Sequence, residues 1–216
     1  MNKIKLLYDV TRAMKNLEKI GGVLQVKVHK DEEEVFSLRN AFEKNEAGKT
    51  RTTVSSVLNL DGSQVTREST TEFDLSGRCH HGPGMLRRMF HGHHGEDHCC
   101  GVKGLFGKLS LAFGILSSLE LEEKGDGTAV ISLHLNEAPQ ELRAALLEKL
   151  QHKHDCLAQH GFLKECHQVE TLNGALAMTV SKDRVIETIT VNLGSMARDE
   201  KKGSHTLAAS AEVKFA

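Results

Sequence analysis

Histidine and cysteine side chains, which can bind metals or carry thiol chemistry, are concentrated in two windows of this 216-residue sequence. Residues 79–100 and 152–167 together contain all five cysteines and ten of the thirteen histidines. Imidazole and thiolate groups are the ligands that Zn²⁺ prefers, and they also suit Ni and Cu. The sequence therefore predicts a bound transition metal, with Zn as the favoured ion and Ni or Cu as alternatives.

The candidate ligands come from both windows, and the metal is expected to lie between them. The first window supplies Cys79, His80, His81, His91, His93, His94, His98, Cys99 and Cys100. The second supplies His152, Cys156, His160, Cys166 and His167. Residues 152, 156 and 160 are four positions apart, so on a continuous helix they would share one face.

Neither window matches a known metal-site spacing such as a zinc finger or HExxH, so the sequence predicts no coordination geometry. The alternative interpretation makes 79–100 a solvated loop and 152–167 a helix whose histidines and cysteines flank the core. Three further histidines, His29, His134 and His205, are isolated on predicted strand faces, and no role is assigned to them. The acidic run from Asp31 to Glu34 is interpreted as a turn.

Composition and charge limit the classes of protein. The formal net charge is −1, aromatic residues make up 4% and tryptophan is absent, which argues against a nucleic-acid binder. Charged residues interrupt the N-terminal region, so no signal peptide is expected. The longest apolar run, Leu109–Leu119, is too short to span a membrane. We therefore expect a cytoplasmic protein, where cysteines serve metal or redox roles more often than disulfides.

Hydrophobic periodicity then predicts the elements that position these windows. A helix is expected over 2–18, with Leu7, Val10, Met14 and Leu17 on one stripe, ended by the pair Gly21-Gly22. Four strands should follow in an antiparallel meander, starting with Val23–Val28 and ending at Leu75. Asp61-Gly62 marks the last hairpin, and Val65 and Phe73 are predicted to point inward.

The remaining elements repeat this plan. Residues 102–116 should form an apolar helix buried against the sheet. Leu119–Glu122 and Ala129–Leu135 should pair across Asp126-Gly127. A helix over 139–158 has Pro139 in its first turn. The last strands are expected over 174–181, 185–193 and 204–215.

The predicted fold class is α+β, with one curved, mostly antiparallel sheet of about 8–10 strands and helices on one face. The chain is expected to form a single domain over 1–216. Its parts are a helix and meander (1–75), the His/Cys-rich insert with the apolar helix (76–118), and a second meander with helix 139–158 (119–216). Two separate four-stranded domains are the alternative.

This element order loosely resembles the half-barrel of bacterial lipoprotein carriers. The resemblance is carried by the 2–18 helix before the Val23–Val28 strand and by the apolar 102–116 helix between strands. It implies a curved sheet that wraps around helices and holds an acyl chain. No motif matches residue for residue, so the resemblance assigns no site residue.

Three functions remain open. The first is non-enzymatic metal storage, buffering or sensing, with ligands from both windows. The second is a half-barrel that binds an apolar ligand or a protein partner, with the His-rich segment as a lid. The third, ranked last, is a metal-dependent hydrolase with Glu96, Asp97 or Glu165 as the base. The sequence favours a non-enzymatic role and predicts no oligomeric state.

Overall fold

The first third of the chain folds as one helix and two hairpins, in the order that the alternation predicts. The computed structural model describes residues 2–45, 49–60, 62–74, 111–152, 169–199 and 203–216, and of residues 60, 74, 149–152, 169–170, 197–199 and 203 it describes the backbone alone. Helix α1 (Lys3–Lys15) precedes strands β1 (Ile20–Lys30), β2 (Glu33–Lys44), β3 (Lys49–Leu60) and β4 (Ser63–Asp74). The helix begins where the Asn2 side chain accepts a hydrogen bond from the Ile4 amide, at 2.9 Å.

The last part of the chain contains two more helices and five strands among its described residues. Helix α2 covers 111–118 and continues directly into β5 (Leu119–Glu123). Strand β6 (Ala129–His134), helix α3 (Gln140–His152), and strands β7 (Val169–Val180), β8 (Ile186–Asp199) and β9 (Gly203–Phe215) follow. The predicted turn at Asp126-Gly127 is confirmed: Gly127 has φ +86°, and the Asp126 carboxylate accepts hydrogen bonds from both the amide and the hydroxyl of Thr128.

All nine strands of the described ranges belong to one open antiparallel sheet, in the order β4-β3-β2-β1-β9-β8-β7-β6-β5. Every neighbour is consecutive in sequence except β1 and β9, so the two ends of the chain pair in the middle of the sheet. The prediction of a largely antiparallel sheet in an α+β fold is therefore confirmed. Because strand directions alternate along this order, the two edge strands β4 and β5 run in the same direction. Each has a neighbouring strand on one side only.

The most deeply buried cluster lies where α1 packs on one end of the sheet. Leu6 and Val10 of α1 are buried with Ala129 and Ile131 of β6 and Val180 of β7. Partly buried side chains from α1, β5, β7 and β8 surround this cluster: Leu7, Met14, Leu119, Leu121, Met178 and Ile186. Helix α1 is also tied to β5, because the Lys3 ammonium donates a hydrogen bond to the Leu119 carbonyl. Within the described ranges, no helix is long and apolar enough to cross a membrane.

Several predicted boundaries are wrong. Helix α1 ends at Lys15, where the Asn16 amide closes the last turn, and Gly21-Gly22 lies inside β1 instead of ending the helix. The predicted stripe missed Leu6, which is fully buried, and included Leu17, which is 36% exposed. Strands β7 and β8 are longer than predicted. Helix α3 is described as far as His152, and the rest of the helix predicted over 139–158 lies outside the described residues.

Two burial predictions are also wrong. Val65 and Phe73 on β4 are 49% and 43% exposed, because β4 is an edge strand. Of the predicted apolar helix over 102–116 only residues 111–116 are described, and Phe113 among them is 63% exposed instead of buried. An edge strand has a neighbour on only one side, so alternation alone overestimates how far its apolar side chains are covered.

Candidate functional site

Nearly all of the predicted metal ligands fall outside the described residues. His152 is the exception: it is the last residue of α3, and its side chain is not described. The others lie in 75–110 and 153–168, as do the three candidate bases: Cys79, His80, His81, His91, His93, His94, His98, Cys99, Cys100, Cys156, His160, Cys166, His167, Glu96, Asp97 and Glu165. Within the ranges that are described, no three or more His, Cys, Asp or Glu side chains form a group that could hold a metal ion.

What the structure does bring together is a largely apolar surface, interrupted on β2 by Asn40 and here called the apolar face. Strand register places Val26 of β1 between Ala211 of β9 and Leu38 of β2, and Ala211 opposite Val191 of β8. Side chains two positions apart on a strand point to the same face of the sheet, so residues two positions before and after these four lie on the same face. Beyond these four residues, the apolar face includes Leu24, Val28, Phe36, Phe42, Leu133, Leu172, Leu176, Met178, Ile189, Leu193, Leu207, Ala209, Val213 and Phe215.

Helix α1 buries only one end of this face, here called the covered end, which consists of Leu119, Leu121, Ala129, Ile131, Met178 and Val180. The part on β9, β1 and β2 is here called the central stretch. No described side chain of β1 or β2 is fully buried, although their apolar residues are the same types as those of β6. Apart from Leu207 of β9, which is 8% exposed, the central stretch therefore keeps apolar surface that is only partly withdrawn from water.

An aromatic pair bounds the central stretch at one end. The rings of Phe42 and Phe215 meet edge to face, with centroids 6.1 Å apart and an interplanar angle of 79°. Gly22 separates these two residues in the register of β2, β1 and β9. A Cβ atom at Gly22 would lie 2.9 Å from the Phe42 ring and 2.5 Å from the Lys214 carbonyl oxygen, so only glycine permits this contact.

A polar pair bounds the other end, where the β1–β2 turn meets the beginning of β9. His205 Nδ1 lies 2.6 Å from Asp31 Oδ2, and the Thr206 amide donates to Asp31 Oδ1 at 2.8 Å. The Asp31 amide in turn donates to the Thr206 carbonyl at 3.0 Å. Because the strand register alternates, the His205 ring belongs to the same side of β9 as Leu207 and Ala209.

The turn that carries Asp31 is unusual in its backbone. Asp31 and Glu32 both have left-handed conformations, with φ +47° and +75°. Asp tolerates this region because its short side chain bonds nearby backbone groups, but Glu has no such compensation. The bonds between Asp31 and Thr206 hold the turn in place. The turn also borders an open cavity of about 640 Å³, which is lined by His29, Asp31, Glu32, Thr206 and Ala208.

Hydrogen bonding sets the charge of this pair. The Thr206 amide and then the His205 ring lower the pKa of the Asp31 carboxyl below its ordinary value of 3.8. Asp31 is therefore ionised at neutral pH and can only accept hydrogen bonds. It follows that His205 Nδ1 carries the hydrogen, and that Nε2 is the ring atom left for other partners.

The sequence did not reveal this pair. The sequence pattern predicts a turn at Asp31 and no role for His205, and the two residues are separated by 174 positions. The signal that joins them is the pairing of β1 with β9, which local periodicity does not contain. By contrast, His134 is 4.0 Å from Glu120, and its side chain is 47% exposed on the opposite face.

Comparison with known proteins adds little to this geometry. No protein-family model matches the chain, and no curated protein matches it. Among solved structures, two inactive mutants of the CurK dehydratase match at 12% and 13% identity, with TM-scores of 0.16 and 0.14. They are covered to 81% and 82%, and this chain to 97%. The dehydratase domain from the CurK module of curacin polyketide synthase matches at 13% identity and TM-score 0.15, with 97% and 81% covered. Scores this low carry no argument about fold or function.

Proposed function

We propose that this protein is a non-enzymatic, half-barrel-like binder of an apolar ligand, which the central stretch of the apolar face holds. The observation that carries the proposal is the partly buried apolar surface on β1, β2 and most of β9, in a sheet whose other end is packed under helix α1. Contiguous apolar surface that is not fully withdrawn from water is typical of ligand and partner sites. Burial of that surface by a ligand would contribute roughly 25 cal/mol per Å².

The proposed occupant is a long acyl chain. The surface is mainly aliphatic, and it runs along β9 from Phe215 to His205, a distance of about 33 Å at about 3.3 Å per residue. An extended, flexible hydrocarbon chain fits a long aliphatic strip better than a compact aromatic ligand does. The architectural resemblance to lipoprotein carriers supports the same class of ligand, and the His-rich segment 79–100 is proposed as a lid.

The test is binding of cis-parinaric acid, a fluorescent fatty acid, together with extraction of lipid from the purified, untagged protein. We expect binding with stoichiometry near one, and a large loss of affinity in Leu38→Glu, which introduces a charge into the apolar face. The matched control is Arg39→Glu, the next residue on β2, whose exposed side chain lies on the opposite side of the sheet. Absence of binding by the wild-type protein, or equal loss in both variants, would contradict the proposal.

A second function, binding of a transition metal between the two His/Cys windows, is supported by the sequence clustering described above. Zn is the proposed ion, with Ni and Cu as alternatives, in a cytoplasmic protein that stores, buffers or senses it. The two functions are compatible, because a lid over an acyl chain can also carry a metal. This proposal draws its support from residue types and spacing alone.

Its test is elemental analysis of untagged protein purified without chelator under reducing conditions, paired with a free-thiol count. We expect about one equivalent of metal, and thiols that become reactive only after chelator is added. Changing Cys99, Cys100, Cys156 and His160 together should abolish metal binding, whereas His134→Ala should leave it unchanged. No metal at purification, no uptake at micromolar metal and five freely reactive thiols would overturn this second function.

A further inference from the structure

The pair formed by Asp31 and His205 fixes one imidazole nitrogen and leaves the other without a partner. Asp31 accepts hydrogen bonds from the His205 ring and from the Thr206 amide, so both of its oxygens are engaged. These contacts hold the imidazole ring in one orientation and keep a hydrogen on Nδ1. The same arrangement of carboxylate and imidazole is used in proteins to direct the second ring nitrogen toward a ligand.

The second nitrogen, Nε2, is buried and unsatisfied. It has almost no solvent-accessible surface, and no hydrogen-bond partner for it is found in the described part of the chain. The His205 side chain as a whole is 17% exposed. A buried imidazole nitrogen without a partner costs free energy, which a ligand group could recover by bonding to it. The ring belongs to the apolar-face side of β9, at the end of the proposed acyl-chain strip.

Charged groups of both signs surround this end of the apolar face. Lys30 lies opposite Leu207 in the β1–β9 register, on the same side of the sheet as His205, and its charge helps to lower the pKa of Asp31. Glu32 follows Asp31 in the turn, Glu33 begins β2 opposite Lys30, and His29 lies on the other side of β1. Both carboxylate oxygens of Asp31 already accept hydrogen bonds from His205 and Thr206. A ligand group that bonds to His205 Nε2 therefore does not face an unpaired carboxylate at Asp31.

We propose that His205, oriented by Asp31, is the polar anchor of the apolar face and hydrogen-bonds the carboxyl group of a long-chain fatty acid. This inference rests on the proposed function and names the headgroup of the same ligand. A carboxyl group suits Nε2 in both proton arrangements. As the acid it donates to the neutral ring, and as the carboxylate it accepts from the protonated ring. An ester carbonyl can only accept, so it leaves the neutral ring unsatisfied.

The test compares palmitic acid with methyl palmitate, which differ in the headgroup alone, by displacement of cis-parinaric acid. The wild-type protein should bind the acid about tenfold more tightly than the ester. This ratio of affinities is what one hydrogen bond that involves a charged group is expected to contribute. His205→Phe should remove this preference and keep affinity for the ester. The control, His134→Phe, changes a strand histidine on the opposite face and should keep the preference.

A direct readout uses the wild-type protein, so it does not depend on the folding of a variant. In ¹⁵N-histidine spectra, the Nε2 resonance of His205 should move when palmitic acid is added and should not move with methyl palmitate. Equal affinity for acid and ester, a preference that persists in His205→Phe, or an unmoved Nε2 resonance would overturn the anchor while leaving the acyl-chain function intact. Failure of the wild-type protein to bind either compound would overturn the proposed function, and the anchor with it.

Discussion

The covered end and the central stretch of the apolar face come from the same alternating pattern, yet they differ in burial. In β6, Ala129, Ile131 and Leu133 are no more than 9% exposed. In β1, the equivalent alternating residues Leu24, Val26 and Val28 are only partly buried. For Ala129 and Ile131 helix α1 makes the difference, because Leu6 and Val10 complete the cluster at the covered end. Alternation determines which side chains share a face, and a covering element determines how much each contributes to stability.

The largest expected effect is at the covered end. Leu6→Ala should destabilise the protein by about 3 kcal/mol, because Leu6 is fully buried and its loss leaves a cavity against β6 and β7. The measurement is urea unfolding followed by circular dichroism. Ile4→Ala is the matched control on the same helix: Ile4 is 58% exposed, and its change should stay within about 0.5 kcal/mol. Similar losses in both variants would contradict the assignment of α1 as the cover.

A second effect tests how the central stretch is closed at its aromatic end. Gly22→Ala should cost about 2 kcal/mol, because the new Cβ would be forced against the Lys214 carbonyl and the Phe42 ring. The matched control is Gly125→Ala in the β5–β6 connection, where a Cβ would meet nothing within 4 Å. Thermal unfolding of both variants measures the difference. Equal melting temperatures for the two would show that β1 and β9 are not this close at Gly22.

The third prediction separates stability from binding. Leu38→Ala should cost only about 1 kcal/mol, because Leu38 is partly buried, but it should weaken binding of cis-parinaric acid. Ile131→Ala at the covered end should cost more stability and leave the affinity of the folded fraction unchanged. Urea unfolding and fluorescence titration of the same two preparations make the comparison. If affinity follows stability in both variants, the two regions do not have separate roles.

The sequence predicts much of the local structure and little of its assembly. The turn at Asp126-Gly127 and the faces of β1, β6 and β9 follow from residue types and period-two spacing, which act over a few residues. The pairing of β1 with β9 joins residues far apart in the chain, so no local pattern reports it. Alternation also overestimates the burial of Val65 and Phe73, because it does not distinguish an edge strand from a central one.

The candidate site divides in the same way. Residue types alone predict metal chemistry in the windows 79–100 and 152–167, and that prediction stays a prediction. The Asp31–His205 pair instead joins two residues for which the sequence predicts no chemistry, one in a turn and one on a strand. A histidine becomes a candidate for function through the group that orients it, and here that group arrives only when β9 pairs with β1.

The smallest expected effect compares two aspartates whose pKa values are both lowered, one by distant and one by local partners. Asp31 bonds to Thr206 and His205 across the sheet, whereas Asp126 bonds to Thr128, two residues away. A folded-state pKa below the ordinary 3.8 means that each carboxylate favours the folded state above that pH. The contribution is lost as the pH falls through 3.8 toward the lower folded-state value.

Asn at position 31 keeps the left-handed backbone, so Asp31→Asn removes the charge and spares the turn. We expect a lower urea midpoint than wild type at pH 7, and a smaller difference at pH 3, because the contribution of the carboxylate decreases once the pH is below the ordinary 3.8. Asp126→Asn should show the same sign and a smaller shift, because it weakens only the β5–β6 turn. A difference at position 31 that is absent at pH 7, or unchanged at pH 3, would mean that the ionised carboxylate does not join the turn to β9. His205 would then lose the group that orients it, since only an ionised Asp31 requires the hydrogen to be on Nδ1.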